Sequence, residues 1–401
     1  METFECPTPE PLSDSIAITL LLAWLFYLTF VSRMIFAPLM PIIQEELNWS
    51  HARVGSLFLL QSIGATVAPV FVGWLTASIQ HRGTLFVSNL MVGLSLILFT
   101  LLEKSTGSGI AMVLVGLSAG LHIPSAVATI TAQVRKKDWG KAMGIHQIAP
   151  PANFISAPLI ATLFLVYLTW QQIVFVMGLL NCMSAAVFLI FFKNSGRFPG
   201  KALHLSIVKE VVARKSFWLM VGLFSMAMAG TQGIYAMLPL YLVTEKSMDG
   251  VMANTLIGLS QIGGLIMVFF AGWVTDRVGI KKTLGTTLLL AGIFTILIGK
   301  LHGFWLIVSV SLQPVFVASF FPGAFAAVAQ IAPPRLRSVN TALAPGFALL
   351  IGAGLVPAGI GYFAEWTSFS LGIVCTGLFI LFGPLLANGL ILGQYDDEDG
   401  C

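Results

Sequence analysis

The sequence predicts an all-α membrane protein, with twelve transmembrane helices in two pseudo-symmetric six-helix bundles. Two observations predict this fold class. The chain is 57% hydrophobic and 9% charged, whereas about 25% of the residues in an average soluble domain are charged. A polar turn at residues 272–282 also recurs in weaker form at 73–82, which is 199 positions earlier. Two copies of one turn indicate an internal duplication, which in a helical membrane protein is typical of a transporter.

Each predicted helix is a run of about 20 apolar residues, the length that crosses a bilayer. The first six runs lie near 15–43, 52–79, 83–103, 107–134, 140–168 and 170–193. The second six lie near 216–243, 250–276, 281–301, 303–331, 337–364 and 367–391. The predicted domains are a tail at 1–14, a bundle at 15–193, a linker at 194–215, a bundle at 216–391 and an acidic tail at 392–401.

The distribution of positive charge predicts the orientation of these helices. If the amino terminus is inside, sixteen of the 21 lysines and arginines lie in cytoplasmic loops, and this is the positive-inside bias. We therefore expect both termini in the cytoplasm. The first fourteen residues contain no basic residue, so we expect an uncleaved first helix rather than a signal peptide, in a bacterial inner membrane.

The linker has two interpretations. Leu203, Ile207 and Val211 repeat at helical spacing among basic residues. This pattern fits a short helix lying on the inner membrane face, and it fits a flexible basic loop equally well.

The turn at 272–282 has the pattern G-x-x-x-D-R-x-G-x-K. Its defined positions are Gly272, Asp276, Arg277, Gly279 and Lys281. The first copy keeps Gly73 and Arg82 but has Ala77, Ser78 and Gln80 at the other positions. This pattern resembles the loop signature of the major facilitator superfamily, where the loop joins the second and third helices of each half. With the helix count, the midpoint linker and the repeat, the resemblance covers residues 15–391.

The resemblance implies two six-helix bundles that face each other across a central cavity and open it to one side at a time. The first, fourth, seventh and tenth helices would line the cavity. It also implies that the loop latches the cytoplasmic gate. The expected gating residues are Gly272, Asp276, Arg277, Gly279, Lys281, Gly73 and Arg82. An acid at such a turn, here Asp276, can also cap a neighbouring helix. A simple tight connector is the alternative.

The ionisable residues inside the predicted spans are Arg33, His122 and His146. Such groups are costly in a membrane and usually functional, and a neutral to positive interior suits an anionic substrate. From Arg33 to Gln44 the spacing resembles the anion:cation symporter branch of the superfamily, which implies that Arg33 binds a substrate carboxylate. Ser32 stands where that branch often has an acid. The alternatives are that Arg33 snorkels outward or pairs with a nearby glutamate.

His122 lies two residues before Pro124, which can kink the fourth helix toward a cavity. Histidine titrates near neutral pH, so His122 is a candidate for substrate binding and for carrying a coupling proton. A hydrogen-bonded packing role is the alternative. His146 is a second proton-coupling candidate, with gating or packing as its alternative. Other residues that could complete the substrate site, or form interhelical hydrogen bonds instead, are Gln61, Gln232, Tyr235 and Gln313.

These features favour a secondary transporter of a small organic anion, coupled to protons, over two other classes of function. The first is a drug or metabolite exporter that exchanges its cargo for protons. The fifth helix is weakly similar to the antiporter motif, at Gly144, Asn153, Pro158 and Ala161. The second is a non-transporting accessory or sensor protein.

The expected partners are the substrate, protons and the lipid bilayer, without nucleic acid, and the expected oligomeric state is a monomer. The sequence has no Walker loop, no GxSxG and no His/Cys cluster, so we expect no enzyme activity, no cofactor and no metal.

Overall fold

The protein is almost entirely helical. A computed structural model describes residues 9–102, 105–200 and 205–392, and within these ranges one isolated β-bridge joins Glu10 to Val134. Ten helices are long and apolar enough to cross a membrane, so the predicted all-α membrane fold is confirmed. The predicted tail residues 1–8 and 393–401, and Leu203 of the linker, lie outside the described residues.

The first half of the chain contains six spans. They are Ile16–Met34 continued by Phe36–Leu47, the helix His51–Leu101 that holds the second and third spans, Ser105–Gln133, Trp139–His146 continued by Ala149–Phe164, and Trp170–Phe191. A short 3₁₀ helix at Lys136–Asp138 precedes the fifth span. The helix Leu205–Val212 lies in the linker.

The second half also contains six spans. The seventh consists of Lys215–Met228 and Ile234–Thr244, joined by the π-helical segment Ala229–Gly233. The eighth is Gly250–Val278, the ninth is Ile280–Lys300, and the tenth is Gly303–Ala318 with Phe320–Gln330. The eleventh consists of Pro334–Leu349 and Val356–Trp366, joined by the π-helical segment Leu350–Leu355. The twelfth is Phe369–Leu381 with Gly383–Asn388.

The ten long helices correspond to twelve spans for two reasons. The 51-residue helix His51–Leu101 holds two spans, because Gln80 has a non-helical backbone and reverses the chain there. The fifth span is made of an 8-residue and a 16-residue helix, each shorter than the roughly 20 residues needed to cross a bilayer alone. The count therefore agrees with the prediction, and the boundaries differ from it by only a few residues.

The turn between the second and third spans repeats the backbone of the turn between the eighth and ninth. Gly279 has φ 92° and ψ 145°, and Gln80, 199 positions earlier, has φ 62° and ψ 171°. Glycine adopts a positive φ freely, whereas a side chain clashes with the backbone there. Gln80 therefore holds strain that Gly279 does not. The shared geometry is structural evidence for the internal repeat.

We expect Gln80→Gly to stabilise the protein by about 1 kcal/mol, because residues held in this region cost of order 1–3 kcal/mol. The flexibility of glycine in the unfolded chain offsets part of the gain. The measurement is the apparent Tm in detergent, which should rise. Gly279→Gln is the matched control and should lower it. If neither substitution moved the Tm, the turn would be free of strain.

The repeat extends to helix packing. The third and sixth spans cross where a Cβ added to Gly93 would lie 2.5 Å from the carbonyl oxygen of Gly178. The ninth and twelfth spans cross at Gly292 and Gly377, both 199 positions later, with a corresponding distance of 3.0 Å. Small residues allow helix backbones to approach closely inside a membrane. Each half therefore contains the same crossing.

Each half has an apolar core and an apolar surface. Leu22, Leu25 and Phe188 are buried in the first core, and Phe224 and Phe320 are buried in the second. Large apolar side chains such as those of Phe191 and Phe269 are 73% and 77% exposed. A multi-pass membrane protein can expose such side chains because they contact lipid.

Residue contacts divide the described chain into two compact units. The first consists of 9–36, 60–102 and 105–200, and the second consists of 37–59 and 205–392. The stretch 37–59 packs closely within the second unit. A Cβ at Gly55 would lie 2.5 Å from the carbonyl oxygen of Pro357, and one at Gly361 would lie 2.4 Å from that of His51.

The linker starts against the first unit. The backbone N–H of Arg82 donates to the carbonyl of Gly196 over 2.9 Å, and that of His81 donates to Phe198 over 3.3 Å. Farther on, the helix Leu205–Val212 has Val211 buried, in agreement with the helical interpretation of this segment. The sequence-based domain boundaries at 15–193, 194–215 and 216–391 stay a prediction.

Candidate functional site

Arg33 lies in the last turn of the first helix, just before the break at Ile35. Pro38 has no N–H to donate to the carbonyl four residues back, so the helix is interrupted here. The unpaired carbonyls at the end of a helix favour a cation. The local sequence therefore explains how Arg33 can stay charged although only 7% of the residue is exposed.

The guanidinium of Arg33 makes no ion pair among the described residues. Its Cζ lies 5.7 Å from the centre of the Phe30 ring, and its Nε is buried without a hydrogen-bond partner. Gln61 is close, but its Nε2 donates to the backbone carbonyl of Arg33 over 3.4 Å. Arg33 therefore neither snorkels outward nor pairs with a glutamate, and its guanidinium is left able to bind an anion.

The other polar side chains on the first helix are bonded within the protein. Ser32 donates to the carbonyl of Leu28 over 2.7 Å and accepts from Asn181 over 2.9 Å. Thr29 donates to Oδ1 of Asn89 over 3.0 Å. Because these donors are already used, Arg33 is the strong donor that remains on this part of the helix.

His122 and His146 lie close together although they belong to different spans. Their ring centres are 6.0 Å apart, with planes 2° from parallel. The Phe26 ring is parallel to both within 6°, at 5.5 Å from His122 and 4.6 Å from His146. Two rings on opposite faces of Phe26 would be roughly 7 Å apart, since carbon atoms in contact are about 3.5 Å apart. Both histidines therefore lie on one side of Phe26, with no ring between them.

The ring nitrogens of His146 lack partners. Within the described residues neither of them makes a hydrogen bond, whereas the ring of His122 interacts with the backbone of Leu22, and both histidines are fully buried. The Nδ1 of His122 is 3.3 Å from Nδ2 of Asn89. Because Thr29 donates to the amide oxygen of Asn89, the amide nitrogen faces His122, and the neutral ring then carries its proton on Nε2. Unpaired buried nitrogens are costly, which points to a ligand that completes them.

The second unit contains its own polar group at the seventh span. Gln313 donates to the carbonyl of Gly230 over 2.9 Å and lies 3.3 Å from Oγ1 of Thr295. Gln232 has a buried Oε1 without a partner among the described residues, and Tyr235 is 3% exposed. Gln313 therefore contacts the seventh span, which carries Gln232 and Tyr235, and all three belong to the second unit, whereas Arg33, His122 and Gln61 belong to the first.

Two π-helical segments that the sequence did not predict, Ala229–Gly233 and Leu350–Leu355, adjoin this group. A Cβ at Gly233 would lie 2.4 Å from the carbonyl oxygen of Gly352, and one at Gly352 would lie 2.5 Å from Cβ of Met228. A π-turn displaces backbone carbonyls from the regular ladder, and such turns often occur at functional sites. The carbonyl of Gly230, which Gln313 contacts, is one of them. The glycines in both segments are the sequence feature from which these π-helical segments could have been predicted.

A model of the Major Facilitator Superfamily matches residues 22–274 and 234–395, and these matches together span most of the chain. The chain belongs to the major facilitator superfamily. Membership in this transporter family indicates a transporter rather than an enzyme. No curated protein matches the chain in sequence.

Solved structures of other superfamily transporters share the fold. A bacterial homologue of the human lysosomal transporter Spinster, inward-facing and unoccupied, has a TM-score of 0.81 at 13% identity, over 93% of this chain and 97% of its own. The nucleoside transporter NupG has a TM-score of 0.75 at 12% identity, over 93% and 100%. The peptide transporter POT, in complex with sulfate, has a TM-score of 0.77 at 13% identity, over 94% of both chains.

The two copies of the superfamily's loop signature have different neighbouring residues. Around Gly279 a Cβ would meet nothing within 4 Å, and the Arg277 guanidinium lies 4.2 Å from the Trp273 ring. Asp276 is exposed, and no side chain caps the amino terminus of the ninth helix. That cap position belongs to Gly279.

The first copy of the loop is covered by the linker. The ring centre of His81 lies 4.7 Å from that of Phe198 in the linker, while the side chain of Arg82 donates to the carbonyl of Leu189 in the sixth span over 2.6 Å. A Cβ added to Gly200 would lie 2.1 Å from Oγ1 of Thr76. These contacts hold the first loop in place without the acid that Ala77 replaces.

Proposed function

We propose that this protein is a secondary active transporter that carries a small organic anion across a bacterial inner membrane, and that Arg33 binds the anion. The observation that supports this most strongly is the buried guanidinium of Arg33 without an ion pair. A charge taken out of water costs several kcal/mol unless it is paired, and such charges inside spans are usually functional. A substrate carboxylate supplies the pair through two parallel hydrogen bonds.

The coupling ion in this proposal is a proton, which the His122–His146 pair takes up. Imidazole changes its charge near neutral pH. Two imidazoles this close hold at most one added proton, because two positive charges would repel each other. One anion on Arg33 and one proton on the pair add no net charge to the spans. This balance favours symport of the anion with a proton.

Transport by alternating access completes the proposal. Membership in the major facilitator superfamily supports it. Both termini would lie in the cytoplasm, and the protein would work as a monomer. The proposed gating residues are Gly272, Asp276, Arg277, Gly279, Lys281, Gly73 and Arg82. The remaining proposed substrate contacts are Gln61, Gln232, Tyr235 and Gln313, among which Gln232 has the unpaired oxygen.

The test is thermal stabilisation of the purified protein by a ligand panel at several pH values. The panel contains monocarboxylates, dicarboxylates, sugar acids, neutral sugars and lipophilic cations. We expect at least one class of acid to raise the apparent Tm, because a ligand that binds only the folded state stabilises it by about 2.7 kcal/mol at a hundred times its Kd. Stabilisation by lipophilic cations alone would instead favour the exporter and remove the anion from the proposal.

A further inference from the structure

Arg33 stands at the edge of an aromatic cluster. Phe26, Phe30 and Arg33 are spaced i, i+4 and i+7 and therefore share one face of the first helix. The Phe30 ring lies 5.8 Å from that of Phe154 and 6.0 Å from that of Phe26, with ring planes 74° and 88° apart. Because Cζ of Arg33 lies 5.7 Å from the same ring, a ligand bound to the guanidinium would have aromatic side chains beside its body.

The cluster offers few partners to a polyhydroxylated ligand. The amide nitrogens of Asn89, Asn153 and Asn181 are bonded inside the protein, to the carbonyls of Leu85, Tyr27 and Met177 respectively. The amide oxygens of Asn153 and Asn181 are buried without a partner, so the cluster has two amide acceptors and no free amide donor. A sugar acid with several hydroxyl groups would therefore lose more hydrogen bonds to water than these two oxygens replace, which is costly.

The charge of the cluster fits one carboxylate. Among the lysines and arginines of the described spans, Arg33 is the one that lies away from the ends of a span. The two histidines are the other basic groups inside the first unit, and they are neutral unless they bind the coupling proton. A dianion would need a second cation, which the spans supply only while the histidine pair is protonated; beside neutral histidines its second carboxylate would be unpaired, and a buried unpaired charge costs several kcal/mol.

We propose that the transported anion is a monocarboxylate with an aromatic body, held by Arg33 at its carboxylate and by Phe30 and Phe154 at its ring. This inference rests on the proposed function and adds the substrate class to it. Ring pairs in edge-to-face or offset geometry are worth more than the same apolar area without an aromatic partner. The site therefore distinguishes an aromatic ring from a saturated ring of the same size.

The experiment compares five probes by thermal stabilisation and by uptake into proteoliposomes: benzoate, cyclohexanecarboxylate, phthalate, gluconate and benzamide. Benzoate and cyclohexanecarboxylate each carry one carboxylate on a six-carbon ring, planar and aromatic in the first and saturated in the second, and benzamide lacks the charge. We expect benzoate to bind about three- to tenfold more tightly than cyclohexanecarboxylate, from the usual strength of aromatic pairs. Phthalate, gluconate and benzamide should leave the Tm unchanged.

Two variants assign this preference to the aromatic cluster. Phe30→Leu should remove most of the difference between benzoate and cyclohexanecarboxylate while both still bind. Phe294→Leu is the matched control, because Phe294 stacks on Phe316 in the second unit and should leave the difference intact. If Phe30→Leu fails to fold, Phe154→Leu makes the same test.

The outcomes separate this inference from the proposed function. Binding of phthalate or gluconate in preference to benzoate, lost in Arg33→Gln, would overturn the aromatic monocarboxylate and leave the anion transporter standing. Equal binding of benzoate and cyclohexanecarboxylate would do the same. Stabilisation by lipophilic cations and by no acid would overturn both.

Discussion

Arg33→Gln is expected to reduce uptake of a carboxylate substrate by at least about thirtyfold. Removing one partner of a buried, hydrogen-bonded charge pair costs about 2–5 kcal/mol, and 2 kcal/mol corresponds to roughly thirtyfold in affinity. Glutamine keeps a polar side chain but loses both the charge and the planar fork of donors. The measurement is initial uptake rate in proteoliposomes over a range of substrate concentrations, with binding followed in parallel by thermal stabilisation.

Two further arginine variants test whether the loss of uptake in Arg33→Gln is caused by weaker binding of the anion. Arg33→Lys keeps the charge without the bidentate fork, so its affinity should fall between those of the wild type and Arg33→Gln. Arg53→Gln is the control, because the Arg53 guanidinium lies over the Trp49 ring at 4.1 Å and belongs to the second unit. Its substrate affinity should be unchanged.

Stability distinguishes a ligand-binding arginine from a structural one. Because Arg33 makes no ion pair in the described chain, its removal takes away a buried charge that only the end of the first helix and the Phe30 ring offset, and the Tm without ligand should hold or rise. A structural arginine behaves in the opposite way, since the loss of a needed contact lowers the Tm. A large drop in Tm without ligand, with unchanged affinity in the protein that remains folded, would contradict the proposed role.

The architecture could be predicted almost completely from the sequence, because the lipid bilayer restricts which backbone structures are possible. A membrane leaves the backbone no partner but itself, so each apolar run of sufficient length must form a helix. The position of the first reversal could be predicted as well, from the loop pattern around Gly73 and Arg82. The strained backbone of Gln80 could not, because the sequence showed only that a glycine was missing there. The fold nevertheless imposed the geometry of Gly279 on that position.

The candidate site could be predicted only in part. Arg33, His122 and His146 stand out in the sequence because ionisable groups inside spans are rare. That His122 and His146 meet beside Phe26 depends on how three helices pack, and helical periodicity carries no such information. The π-helical segments at Ala229–Gly233 and Leu350–Leu355 escaped detection for a similar reason. An extra residue in a turn does not change the overall composition of the run, and the glycines in both segments are the feature of the sequence that accompanies it.

His122→Gln is expected to abolish uptake driven by a proton gradient while leaving substrate exchange active. Glutamine retains hydrogen-bonding capacity near Asn89 but cannot take up a proton in this range of pH. Net uptake with a proton requires that the site load and release that proton in each cycle. Exchange of labelled for unlabelled substrate requires no net proton movement. We therefore expect at least about a tenfold loss of gradient-driven uptake, in line with the loss of a proton-transfer group, and exchange close to the wild-type rate.

His146→Gln decides whether the two histidines act as one proton site. If they share the proton, His146→Gln should reproduce the phenotype of His122→Gln, and the double variant should be no worse than either, because the effects of residues that act as a unit are not additive. His81→Gln is the control: its ring packs on Phe198, and gradient-driven uptake should persist. Intact coupling in His146→Gln would assign the proton to His122 alone and leave His146 as a ring that packs on Phe26. Intact coupling in both single variants would remove the pair from the mechanism, since each retains only one of the two imidazoles that the shared site requires.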